Sequence, residues 1–147
     1  MTEFTSYPHG TPNWVDLATS DVDGAAGFYC RLFGWTTERV PFTDDIDYTM
    51  CLLRGQPVAA LYSLDPMAAA GGAPSHWSTC IAVSDVVEVL EMVAKAGGKP
   101  FGPVLDSPLG RRAAVQDPTG AFFALWEAGS LIGSAFANEP GAFTWNE

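Results

Sequence analysis

Apolar and polar residues alternate in short runs along this chain. Twice the alternation gives way to a helical spacing, at matching places in two similar segments. Trp14-Val15-Asp16-Leu17-Ala18-Thr19-Ser20-Asp21-Val22 and Ser78-Thr79-Cys80-Ile81-Ala82-Val83-Ser84-Asp85-Val86 are both strand-like and both run into Ser-Asp-Val, with the two aspartates 64 residues apart. A short carboxylate there accepts bonds from the free N–H groups of a helix's first turn. Glu88, three residues after Asp85, adds the second half of a capping box. The spacing predicts helices over 22–33 and 86–96, closed by Gly34 and by Gly97-Gly98. The inward residues are expected to be Ala25, Phe28, Tyr29 and Leu32 in the first helix, and Val89, Leu90 and Val93 in the second.

Period-two patterns follow each helix. They predict strands over 38–42, 48–53 and 58–62 in the first half, turning at Arg54-Gly55-Gln56-Pro57. The second half offers 99–104, 111–116 and 121–127, turning at Asp117-Pro118-Thr119-Gly120, a sequence suited to a type I turn with glycine in the left-handed position. Each half therefore reads strand–helix–strand–strand–strand. The predicted fold class is α+β: two βαβββ modules forming one cupped, mostly antiparallel eight-stranded sheet with its helices outside. The modules span 13–62 and 76–128, after an N-terminal segment 1–12. They are joined by a linker 63–75 that contains a flexible Ala/Gly stretch, and a tail 129–147 follows, all within one domain. That tail repeats an earlier spacing: Gly10…Trp14…Asp16 returns as Gly141…Trp145…Glu147. It reads as the start of a possible second domain.

Composition narrows the function classes. The length of 147 residues suits one domain. Seven basic residues against 17 acidic ones leave a net charge of −10, which repels phosphate backbones and anionic lipid, so neither nucleic acid nor membrane is an expected partner. No apolar run approaches the roughly 20 residues of a membrane span, and Met1-Thr2-Glu3-Phe4 does not open a signal peptide. The three cysteines, Cys30, Cys51 and Cys80, lack CxxC spacing and read as buried thiols of a cytoplasmic protein.

Paired modules of this length, with Ser-Asp-Val before each helix and Asp-Pro-Thr-Gly in the last hairpin, resemble the vicinal oxygen chelate superfamily. That group holds glyoxalases, extradiol dioxygenases and bleomycin- and fosfomycin-resistance proteins. The stretch Gly120–Trp126 and the terminal Gly141…Trp145-Asn146-Glu147 look most like its actinobacterial branch with two such domains in tandem. The resemblance implies a metal site with one ligand from the first and one from the last strand of each module. Carried onto this chain, those positions hold Trp14, Ala60, Ser78 and Ala124. None is an ordinary ligand for a divalent ion, so no metal and no cofactor are expected. The two histidines, His9 and His76, do not restore the set. A shifted Asp16/His76 site competes with ordinary hydrogen-bonded roles for both residues.

Strand parity sorts the faces. With Val15 and Leu17 toward the helices, Trp14, Asp16 and Ala18 face the cup, as do Tyr48, Met50, Leu52, Val58, Ala60 and Tyr62, and across the repeat Ser78, Arg112, Ala114, Gln116, Phe122, Ala124 and Trp126. The expected ligand-binding residues are Trp14, Asp16, Tyr48, Met50, Tyr62, Ser78, Arg112, Gln116, Phe122 and Trp126. Aromatic walls with sparse polar anchors suit a bulky, flat organic molecule. The expected function is small-molecule binding without metal, as in the antibiotic-holding resistance members. The alternative is a metal-independent lyase, isomerase or hydroxylase-like enzyme with Asp16 as catalytic acid/base. A homodimer or a tandem second domain is the expected assembly. On this reading Asp16→Asn weakens binding and barely moves the melting temperature.

Overall fold

The computed structural model describes residues 3–147. The first module is β1 (Pro12–Thr19), α1 (Val22–Phe33), β2 (Thr36–Pro41), β3 (Asp47–Leu53) and β4 (Gln56–Ser63). A short helix α2 (Pro66–Ala70) leads to the second module: β5 (His76–Ala82), α3 (Val86–Lys95), β6 (Lys99–Ser107), β7 (Gly110–Gln116) and β8 (Phe122–Ala128). All eight strands join one sheet in the order β2-β3-β4-β1-β5-β8-β7-β6.

The register carries the 64-residue repeat into space. Asp16 pairs in parallel with Ala60, and Cys80 pairs in parallel with Ala124. The two first strands meet antiparallel at the centre, with Trp14 opposite Cys80 and Asp16 opposite Ser78. Each helix begins where its aspartate predicts. Asp21 accepts from the Gly24 amide, and Asp85 accepts from Val87 and Glu88. Gly34, at φ 71°, closes α1 in the left-handed region open to glycine. The last hairpin turns on Asp117, whose carboxylate accepts from the Thr119 and Ala121 amides. Its register puts Gln116 opposite Phe122.

Four expectations need correction. The Ala/Gly stretch carries α2 because Asp65 caps it through the Ala68 amide and Pro66 fits a first helical turn. Phe28 and Leu32 are more than half exposed. The inward stripe of α1 is instead Val22, Ala25, Ala26, Tyr29 and Cys30, a helical spacing that leaves those two on the flank. Val58 packs with the helix side, because a register shift between Cys51 and Leu52 bulges β4 there and breaks the alternation. Finally, β2 ends at Pro41, so Phe42 leaves the strand.

Apolar side chains segregate to the two faces. Under α1 lie Leu17, Cys51, Leu61 and Phe136, and α3, through its own Val86, packs on Val83, Val115 and Leu125. The concave face has its own core, described below. The tail folds back on the sheet, with isolated β-bridges from Phe136 to Glu3 and from Ala137 to Phe143. Ser134 donates to the Asn13 carbonyl, and Ala135 donates to that of Pro57. Gly133, at φ 124°, lies so close to Asn13 that a side chain there would strike its backbone.

Candidate functional site

The centre of the concave face is an ion pair. Asp16 on β1 is fully buried and Arg112 on β7 is 6% exposed. Arg112 Nε donates to Asp16 Oδ2 at 2.9 Å and its Nη2 donates to Oδ1 at 3.0 Å, a two-pronged contact. Tyr48 Oη donates to the same Oδ2 at 3.0 Å, and the Cys80 thiol approaches it at 3.9 Å. The repeat explains the convergence. Tyr48 and Arg112 lie 64 residues apart, so they take equivalent places on the two modules and reach in from opposite sides. Cys80 is the equivalent of Asp16 itself.

Aromatic side chains fill the space around this network. Trp14 and Trp126 are fully buried, with Phe42 and Met50 nearly so. Phe42 lies face to face with Tyr48, ring centres 4.3 Å apart, and 6.0 Å from the Trp126 ring. Trp126 Nε1 donates to the Leu131 carbonyl at 2.9 Å. Tyr62 packs at the edge, with the Arg112 guanidinium 5.8 Å from its ring centre. Trp14 Nε1, by contrast, is buried and has no acceptor among the described residues.

The structure thus brings together Trp14, Asp16, Tyr48, Met50, Tyr62, Arg112 and Trp126, with half-buried Ser78 opposite Asp16. Gln116 and Phe122 stand apart. The Gln116 amide donates to the Gly120 carbonyl, and Phe122, 57% exposed, meets Phe101 edge-on. Sequence reasoning missed Phe42, Leu131 and Cys80. Cys80 was legible as the repeat partner of Asp16, and Pro41 marked the point where Phe42 leaves its strand. Leu131 carried no signal.

Among the described residues no three His, Cys, Asp or Glu side chains converge as a metal site would require. His76 Nδ1 lies 2.8 Å from the Pro74 carbonyl, and His9 Nδ1 accepts from the Ser84 amide. Both are exposed and tied to loops.

Burial sets the protonation of this face. It raises Tyr48 well above the ordinary tyrosine value, with Asp16 adding to it. It pushes Tyr62 up to about 12, again with help from Asp16. Cys80 rises with burial and Asp16, and on the opposite, helix-covered face burial pushes the Cys51 thiol up to about 12. Burial works against the Arg112 charge, but Asp16, joined by Cys80, Tyr48 and Tyr62, outweighs it and holds the guanidinium protonated. Tyr48 is therefore a fixed donor at any ordinary pH.

The sign for stability follows from these shifts. Groups whose folded values are raised contribute stability present below their unfolded values, about 8.5 for cysteine and about 10 for tyrosine. That contribution is lost as pH climbs toward the folded values. Urea midpoints measured from about pH 7 to 11 are expected to hold to about pH 8.5 and then fall steadily. A flat profile across that range would contradict this burial.

Two open clefts flank the buried network. One, of about 560 Å³, lies beside Tyr62 at the edge of the sheet, between the β2–β3 loop and the start of α1, lined by Arg39, Asp45, Ile46, Asp47, Asp65 and Val22 among others. The second, of about 460 Å³, lies on the helix side between Tyr29, Trp35, Trp77 and the tail.

The profile of the Glyoxalase/Bleomycin resistance protein/Dioxygenase superfamily matches residues 11–125, which is most of this sheet. The chain belongs to that superfamily. Within the superfamily it is 42% identical over 149 residues to the putative glyoxylase CFP32 of Mycobacterium tuberculosis, a match covering all of this chain and 57% of the relative. It is 34% identical over 154 residues to the anthracycline biosynthesis protein DauV of Streptomyces sp. strain C5, covering 97% of this chain and 56% of that protein. The chain thus spans little more than half the length of these relatives. Methylmalonyl-CoA epimerase from M. tuberculosis shares the fold at a TM-score of 0.60 and 18% identity, over 86% of this chain and 92% of that one. The hypothetical protein BH1468 of Bacillus halodurans does so at 0.61 and 12%, over 81% and 94%.

Proposed function

We propose that this superfamily member is a metal-free module that holds a bulky, flat organic molecule on its concave face. The observation that carries the reading is the Trp14 Nε1–H, fully buried on the cup face and lacking an acceptor. A buried donor left unpaired costs about 1–3 kcal/mol, and an oxygen or nitrogen of a ligand seated over β1 would recover it. The positions that hold metal ligands in catalytic relatives carry Trp14, Ala60, Ser78 and Ala124, a donor set that does not fit a divalent ion. Asp16, the nearest carboxylate, already accepts from Arg112, Tyr48 and Cys80. With its lone pairs engaged, Asp16 acts here as the anchor that keeps Arg112 charged and in place, not as a proton acceptor. Arg112 and Tyr48 then fix the orientation of the bound molecule.

A flat ligand suits the ring-lined walls. One relative is named for anthracycline biosynthesis, and anthracyclines are flat fused-ring molecules. A net charge of −10, and three carboxylates at the mouth (Asp45, Asp47 and Asp65) against the one guanidinium of Arg39, which meets Asp47 at 3.8 Å, favour a cationic substituent. No helix among the described residues is long and apolar enough to cross a membrane. The free thiols of Cys51 and Cys80, both buried, suit a reducing, cytoplasmic setting. The exposed Phe28 and Leu32 on α1, with Trp77 partly exposed on the same side of the sheet, favour pairing with a second unit of this fold, in a longer chain or a second copy.

A double variant, Asp16→Leu with Arg112→Met, tests the reading. Swapping a buried ion pair for apolar side chains of similar size is often neutral or stabilising, while the buried Tyr48 hydroxyl loses its acceptor at a cost of about 1–3 kcal/mol, so the double variant is expected to stay folded with a stability lowered by no more than that unpaired donor. It should lose the ligand-induced rise in melting temperature found with the best-binding member of a panel of flat polycyclic amines. Undiminished binding by the folded double variant would refute the anchoring role.

A further inference from the structure

The concave core is closed by two side chains that are held very differently. Leu131 is tied down by hydrogen bonds: its amide donates to the Leu109 carbonyl, its own carbonyl accepts from Trp126, and the adjacent Ser130 donates twice to Pro108. Phe42 sits at the start of the loop between β2 and β3, whose polar contacts close on themselves. Phe42 and Thr43 amides donate to the Ile46 carbonyl, and the Ile46 amide reaches back to Thr43. Beyond the β2–β3 ladder, this loop is held to the body by the apolar contacts of Phe42 and Ile46. β2 is itself an edge strand, paired to β3 alone and exposed along most of its length. The cleft of about 560 Å³ opens directly against this loop, with Asp45, Ile46 and Asp47 in its wall and Tyr62 leading inward.

The geometry points to Phe42 as a removable plug: its ring occupies the slot between Tyr48 and Trp126 that receives the flat aromatic part of the ligand, which enters from the Asp45/Asp47/Asp65 cleft as the loop swings out. This inference rests on the concave-face reading above and adds to it the subsite, the route and the residue that competes with the ligand. Phe42 makes with Tyr48 the parallel ring contact that a bound ring would make. A segment secured by two apolar side chains, with no outside hydrogen bond among the described residues, is the kind that opens locally while the sheet stays folded. With Arg39 paired to Asp47, the carboxylates of Asp45 and Asp65 still leave the mouth net negative, and it selects a ring system carrying positive charge over one carrying negative charge.

The probe is N-methylquinolinium, a flat two-ring cation, read by quenching of tryptophan fluorescence. Phe42→Ala is expected to bind it at least about tenfold more tightly than the wild type, because the competing ring is gone. Leu131→Ala, a cavity of comparable kind on the fixed side, is expected to gain nothing. Amide hydrogen exchange on the unmodified protein gives an independent reading: the Thr43 and Ile46 amides should exchange far faster than that of Leu131, and faster still as the probe is added and displaces Phe42. Equal gains in the two alanine variants, or loop amides as protected as Leu131, would overturn the plug. A probe found in the cup with Phe42 still stacked on Tyr48 would remove the plug and keep the concave-face reading. A probe bound only on the helix side would remove both.

Discussion

Arg112→Ala is expected to lower the stability of this domain by about 3–5 kcal/mol, the usual cost of breaking a buried ion pair. Asp16 would be left fully buried without the two-pronged contact that offsets its desolvation. Tyr48 alone cannot replace a full positive charge. For a domain of this size the loss corresponds to a fall in melting temperature on the order of 10 °C. The expectation that Asp16→Asn would leave the melting temperature unchanged is corrected by the same geometry, since that change strands the Arg112 charge instead. Chemical denaturation of Arg112→Ala beside Arg111→Ala, whose side chain meets Asp106 and Glu127 nearer the surface, isolates the buried contribution. A cost for Arg112→Ala within about 1 kcal/mol of the surface control, where ion pairs contribute little, would contradict it.

Trp126→Ala is expected to cost about 3–5 kcal/mol, the range for deleting a large buried aromatic. The indole is fully buried, forms one wall against Phe42, and supplies the donor that holds the Leu131 carbonyl. Its loss leaves a cavity and an unpaired carbonyl together, so the segment after β8 should loosen and its amides exchange faster. Trp145→Ala is the control. That indole is 78% exposed, and its removal should change stability by less than about 0.5 kcal/mol. Similar losses for the two variants would mean that the concave core is not where the stability resides.

The fold was legible because its signals are local and repeated. Asp21 and Asp85 cap helices at the same step of two modules, and the Asp117 turn sets a register that alternation then propagates through Arg112, Ala114 and Gln116. Legibility failed where alternation is broken or where chain from outside the modules intervenes. A bulge at Val58 turned one side chain over, and Pro41 released Phe42 from its strand into the cup. Leu131 comes from the tail, which has no periodicity to read. The site was partly legible for the same reason: parity placed Trp14, Asp16, Tyr48 and Trp126 on one face. Parity cannot say whether a face is open or packed, nor that Arg112 would choose Asp16 among 17 acidic residues.

The five tryptophans provide the most direct test of the concave-face claim, because their indole N–H groups report on separate places. Trp14 and Trp126 lie in the cup, the first without an acceptor and the second bonded to Leu131. Trp35 and Trp77 line the helix-side cleft, bonded to the Gly141 carbonyl and the Tyr29 hydroxyl. In a nitrogen–proton correlation spectrum recorded while the tightest polycyclic amine is added, the Trp14 indole resonance should move downfield as it gains an acceptor, and Trp126 should move with it. Trp35 and Trp77 should stay in place. A titration in which Trp35 and Trp77 shift while Trp14 remains still would place the ligand on the other side of the sheet and contradict the account.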